Sequence, residues 1–280
     1  MGLFSKFKKK KNIDESVINT VLAAVKERTE CLAIGISAVE SDSVGLFDSK
    51  FGGLPYWPAD MNYPVGEDGQ NLFLLAQLNF DNISTEDTPL PQKGILQFFI
   101  ADDDMTGLDF DHPDEQKNFR VVYHESVNYT VTEADVEALG VCAVEDGEYF
   151  PFSGQYALSF EKKSDYINCT AAAYDDMVSE ICDELYPERP NDEFWGRLSE
   201  DECMKLMDLL SDESHKMLGF PSFTQDDPRD DDSPYNTLLL QIVSDNGIMW
   251  GDCGIANFFI NIEDLKNLDF SKVMYNWDCC

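Results

Sequence analysis

Apolar positions between residues 13 and 30 recur at three- and four-residue spacing: Ile13, Val17, Ile18, Val21, Leu22 and Val25. This stripe predicts an amphipathic helix that packs on the body of the chain. Asn12, with Glu15 three residues later, has the form of a capping pair. A short helix is expected over 132–139, opened by Thr132. A third covers 171–186, with Met177, Ile181, Cys182 and Leu185 inward and Pro187 and Pro190 ending it. Ser199 and Glu202 form a capping box for a fourth, which the apolar positions carry to about Leu218, where Gly219 stops it. Strand patterns lie between these helices, at 72–80, 94–100, 119–123, 156–160, 238–243 and 256–262. Helices and strands do not alternate strictly, so the pattern predicts an α+β fold and not a doubly wound sheet.

Three of these segments recur in the same order. Phe51-Gly52-Gly53-Leu54-Pro55 is echoed by Leu218-Gly219-Phe220-Pro221, Leu74–Leu78 by Leu238–Ile242, and Gly94–Ile100 by Gly254–Ile260. The offsets are nearly constant, 166, 164 and 160 residues. The expectation is two pseudo-repeated units of mixed or antiparallel sheet, about 36–150 and 151–280, packed together with flanking helices. Residues 12–280 then form a single domain behind a basic leader, 1–11, expected to be disordered. Gln77 and Gln241 sit inside apolar strands, where an unpaired amide costs about 1–3 kcal/mol. They should bond to backbone, at the seam between the units, or else contact a ligand.

The chain has 20 basic and 54 acidic residues, a net charge of −34. Five lysines fall in residues 1–11, so the remainder carries 15 basic and 54 acidic groups, net −39. Such a body repels nucleic acid and anionic lipid. The leader Gly2–Lys11 offers at most weak membrane contact. It has neither the apolar core of a signal peptide nor a hydroxyl residue at position 6 for myristoylation. No stretch is long enough to span a membrane. The eight cysteines form no CxxC pair and only three histidines occur. Reduced thiols in a cytoplasmic protein are expected, with no cofactor and no metal site. Cys279 and Cys280 at the end have no assigned role.

Trp250-Gly251-Asp252-Cys253-Gly254 is the most suggestive local motif, a carboxylate and a thiol between two glycines and beside an indole. It suits a turn or a pocket. Cys253 as a nucleophile needs a base, for which His215 is the candidate. Trp57 and Trp250 are expected at corresponding ends of the two units, with Asp252 accepting from the Trp250 indole. A groove between the units would be lined by Tyr56, Trp57, Gln77, Gln225, Gln241, Trp250, Asp252 and Cys253. The acidic runs around Asp102, Asp109 and Asp226 lack EF-hand spacing and read as solvated loops.

Ser49–Pro58, Leu74–Gln77 and Gly94–Phe99, followed by His215–Pro221, Gln225, Leu239–Gln241 and Trp250–Gly254, together resemble the YwqG-like family of bacterial proteins. The resemblance spans roughly 36–275. It implies an α+β domain of unknown function and supplies no catalytic residues. The leading expectation is a non-catalytic cytoplasmic binding or interaction protein using the groove between the units. The alternatives are an acidic immunity- or inhibitor-type protein covering a basic toxin or nuclease, and a hydrolase using Cys253 or Asp252.

Overall fold

The apolar runs that read as strands are buried on both faces, which requires a layer on each side of them. The computed structural model describes residues 13–144, 147–192, 195–230 and 232–280. Its centre is one sheet of ten strands, all paired antiparallel: β1 (Cys31–Glu40), β2 (Lys50–Gly52), β3 (Phe73–Asn79), β4 (Ile95–Ile100), β5 (Phe119–His124), β6 (Gln155–Asp165), β7 (Lys216–Leu218), β8 (Thr237–Val243), β9 (Ile255–Ile260) and β10 (Val273–Asp278). The order across the sheet is β10-β9-β8-β7-β1-β6-β2-β3-β4-β5. The two longest strands, β1 and β6, form the middle, with Ser37 opposite Ser159. Two flanks of four strands extend from this pair.

The inner face of the sheet closes on itself. Phe98 of β4 meets Phe258 of β9 at 4.9 Å between ring centroids, and Phe119 of β5 meets Tyr275 of β10 at 5.3 Å. One apolar core joins both flanks there. Hydrogen bonds also cross between them, from the Trp277 indole to Met105 O and from the Tyr275 hydroxyl to Thr106 O. The outer face of the first flank carries a second core around Trp57, Leu74, Ile95 and Phe99. That of the second flank carries a smaller one, Phe223, Leu238, Phe259 and Met274.

Each flank holds a bulge. The β3–β4 register slips between Leu74 and Ala76, and the β8–β9 register between Leu238 and Leu240. A bulge inserts one residue and breaks the two-residue alternation. Here it lets Leu75 and Ala76, and likewise Leu239 and Leu240, face the inner core in succession. Gln77 and Gln241 consequently point to the outer side.

The helices form a separate layer. α1 (Glu15–Thr29), α3 (Tyr174–Leu185) and α4 (Glu200–Leu210) share a core with Val21, Val25, Ile181 and Leu206, while α2 (Glu133–Glu137) caps the first flank and α5 (Ile262–Lys266) joins β9 to β10. The cap of α1 is Asp14, whose carboxylate accepts from Ser16 and Val17; Asn12 lies outside the described residues, as does the basic leader. Ser199 forms the expected capping box, and Thr132, expected to open its helix, forms another with Asp135. The fourth helix stops at Leu210, not Leu218, because Lys216–Leu218 pairs with β1 and β8 as a strand. β1, β2, β7 and β10 were not expected. No described helix is long and apolar enough to cross a membrane.

Candidate functional site

Phe51 packs into the inner core, so its neighbour Lys50 must point to the outer side of the sheet. β2 ends at once because Gly52 and Gly53 both adopt left-handed φ, 66° and 73°. A Cβ on Gly52 would stand 2.5 Å from Gly154 O, and one on Gly53 2.3 Å from Gln155 Oε1. No side chain fits where the turn leaves the sheet.

Lys50 starts a buried polar row across the flank. It lies opposite Gln77, which lies opposite Gln97, and His124 Nε2 is 2.9 Å from Gln97 Oε1. Gln77 is fully satisfied: its oxygen accepts from Tyr56 N–H and Gln97 Nε2, and its amide donates to Leu46 O and Asp48 O. Burial lowers the His124 pKa to about 4, so the ring is neutral at pH 7.

Lys50 itself is 1% exposed. Its ammonium donates to Gly45 O at 2.9 Å, and no carboxylate of the described residues lies within 4.0 Å. Loss of hydration lowers its pKa to about 8, against the weaker opposing charges of Asp48 and Glu133. Above it opens a cavity of about 760 Å³, walled by Leu54, Phe73 and Val141 and carrying Asp42, Asp102, Glu133, Glu137, Cys142 and Gln155. Asp102 is pinned by the Glu148 and Tyr149 N–H groups. Asp42, Glu133 and Glu137 are exposed and make no ion pair with a described residue. A second basin of about 670 Å³ adjoins it, sharing Phe73, Asp102, Val141 and Cys142.

The second flank places Lys216 at the same point, opposite Gln241 and just before the left-handed Gly219. Its surroundings differ. Lys216 is paired with Asp165 at 2.9 Å and Asp212 at 3.5 Å, both partners being fixed by the fold. The Asp165 carboxylate also accepts from Phe220 N–H, so this lysine is a buried structural ion pair.

The eight residues expected to line one groove are not brought together. Tyr56 and Trp57 lie in the outer core of the first flank, where the Trp57 indole donates to Met61 O at 3.1 Å. Trp250 lies in the inner core, 6.2 Å from Trp277, and its indole N–H has no partner among the described residues; Asp252 is exposed and does not accept from it. The residue in Trp57's position on the second flank is Phe223, which stacks on Phe259 as Trp57 meets Phe99. Gln77 and Gln241 bond to backbone of their own flanks, not to a seam: Gln241 accepts from Ser222 N–H and donates to Ser214 O. Gln225 is exposed and ties to Asp278 and Cys279 O. Cys253 sits exposed in a turn at φ 62°. Its proposed base, His215, is buried with Nδ1 accepting from Val243 N–H, and burial lowers its pKa to about 4. None of the eight lines either basin.

Lys50 was missed because a three-residue strand has no readable period. The recurring segments held the clue: the 166-residue offset that aligns Gly53 with Gly219 also aligns Lys50 with Lys216. Among the described residues, no group of three or more His, Cys, Asp or Glu is arranged to hold a metal ion. All eight cysteines are free thiols. No curated protein matches the chain. Residues 49–279, from the strand that carries Lys50 to the end of the outermost strand, match the domain of unknown function DUF1963, and the chain belongs to that family.

Proposed function

We propose that this chain is a binding protein whose small ligand occupies the cavity over Lys50. The observation that carries this reading is the contrast between the two lysines. One buried lysine has two carboxylates; the other has a carbonyl and an open cavity. A buried cation with no carboxylate at ion-pair distance among the described residues is costly, and such groups cluster at functional sites. The cavity also has the usual size of a small-molecule pocket, with apolar walls beside a set of charged groups.

The ten strands support a finer reading of origin, in which β1–β5 and β6–β10 descend from one duplicated unit. The bulges, the buried lysines and the glutamines with their turn N–H partners occupy equivalent registers. On this reading only the first copy keeps an open site. A YwqG-like placement within the family and a cytoplasmic setting are part of the same proposal.

The test is native mass spectrometry of protein purified directly from cells, comparing wild type with Cys142→Trp. The tryptophan enters the cavity from an exposed position and should leave folding intact. A small molecule retained by wild type and absent from the variant is the expected result. Equal retention by both places the ligand elsewhere. A salt-sensitive complex with a basic protein, unaffected by Cys142→Trp, would instead favour a partner recognised by the −34 charge.

A further inference from the structure

We propose that Lys50 captures carbonyl compounds: its side-chain nitrogen forms a reversible imine with the aldehyde or ketone of a small ligand bearing a cationic group at its other end. The inference rests on the cavity reading above and names the ligand's chemistry.

Geometry supplies the first argument. An amine is a nucleophile only when neutral. A carboxylate at ion-pair distance favours the ammonium form, and Lys216 lies against two of them, Asp165 and Asp212. Lys50 has no such partner among the described residues and gives one N–H to Gly45 O at 2.9 Å. Donation of that N–H fixes the head group while the nitrogen lone pair remains unused. Desolvation acts the same way, bringing the pKa to about 8. At pH 7.5 about a quarter of Lys50 is then free amine, against about one part in a thousand for an exposed lysine.

The reaction balances without redox chemistry. The nitrogen lone pair adds to the carbonyl carbon, the C–N bond forms, and the carbonyl π pair moves to oxygen, which takes a proton. The resulting carbinolamine loses its hydroxyl as water when that oxygen is protonated again. The nitrogen gives up its second proton and the C=N bond closes. One amine and one carbonyl give one imine and one water. Glu133 lines the same cavity and its charge is felt at Lys50 from beyond ion-pair distance, so the proposal assigns it these proton transfers by way of an intervening water.

Charge sets the other end of the ligand. Asp42, Glu133 and Glu137 stand exposed at the cavity without ion-pair partners among the described residues, and Asp102 adds a fourth carboxylate. Anionic carbonyl compounds are repelled by this set, and cationic ones are concentrated by it.

The experiment uses the full chain with betaine aldehyde, uncharged propanal, or choline, the alcohol counterpart of betaine aldehyde. Sodium cyanoborohydride at pH 7.5 reduces any imine to a stable amine, which peptide mapping locates. The expected result is labelling of Lys50 by betaine aldehyde at least tenfold faster than of exposed Lys93, and faster than by propanal. Glu133→Gln should slow labelling of Lys50 several-fold and leave Lys93 unchanged. Labelling of Lys50 no faster than Lys93, with choline still raising the melting temperature of wild type but not of Cys142→Trp, overturns the imine and leaves the cavity reading standing. Absence of both Lys50 labelling and any choline or aldehyde stabilisation overturns both.

Discussion

Replacing each buried lysine by methionine, which keeps the stem and removes the charge, should change stability in opposite directions. For Lys50 the pKa falls from 10.5 to about 8 on folding. At about 1.36 kcal/mol per pH unit, folding the charged form carries a penalty of about 3 kcal/mol. Lys50→Met removes that penalty but forfeits the bond to Gly45 O, worth about 1 kcal/mol. The variant should therefore be about 2 kcal/mol more stable than wild type at pH 7. A lowered pKa destabilises fully below about pH 8, and the penalty fades as pH rises from 8 to 10.5, where the unfolded chain still binds the proton and the folded chain does not. The advantage of the variant should shrink over the same interval. Lys216→Met strands Asp165, whose side chain is 3% exposed, and should cost about 3–5 kcal/mol. Urea unfolding at pH 7, 8.5 and 10 measures all three proteins, and the difference from wild type cancels the tyrosines and cysteines that titrate in the same range. If Lys50→Met is as destabilising as Lys216→Met at pH 7, Lys50 is a structural pin and the site argument collapses.

Trp250→Phe should cost about 2 kcal/mol less than Trp57→Phe, because it deletes an indole N–H with no partner among the described residues while the latter breaks a bond to Met61 O; chemical denaturation reads the difference. Gln77→Leu, which strands the Tyr56 N–H and two backbone carbonyls, should lower stability by about 3 kcal/mol or more, and loss of far-UV signal cooperativity in the melt would accompany it. Gly52→Ala should destabilise by about 2 kcal/mol or more, since its φ is left-handed and the new methyl meets Gly154 O. Asp252→Asn, at an exposed turn, should stay within about 0.5 kcal/mol of wild type in the same assay.

The strands with the longest apolar runs were legible, β3, β4, β8 and β9, because burial on both faces leaves almost nothing polar in them. Two of the polar exceptions, Gln77 and Gln241, were marked as needing backbone partners, and they have them; which backbone was hidden because the turn that supplies Tyr56 or Ser222 lies about 20 residues away. β1 was illegible for a different reason. It sits at mid-sheet with Gly35 and Ser37 in it and an exposed Val39, so its pattern follows neither alternation nor a continuous apolar run. The pairing of Trp57 with Trp250 failed because residue type is a poor guide to register: Phe223, a smaller ring at the right offset, holds the place instead. The cavity could not be read from sequence, since its walls come from segments separated by more than 100 residues, from Asp42 to Gln155.

The order of strands at mid-sheet bears on how the chain is made. β1 pairs with β6 and β7, and β6 pairs with β1 and β2, so the earliest of the ten strands closes the flank made last. A nascent chain that has emerged only through β5 holds a ten-residue strand with no neighbour and a second strand, β2, with its outer edge bare. Unpaired edges of this kind invite contact with other chains. Pairings more than 100 residues apart in sequence also form slowly. Each flank thus has its inner edge covered by a middle strand from the other half of the chain. On the ribosome, the interval between β5 and β7 is the period in which this protein is most exposed to misassembly.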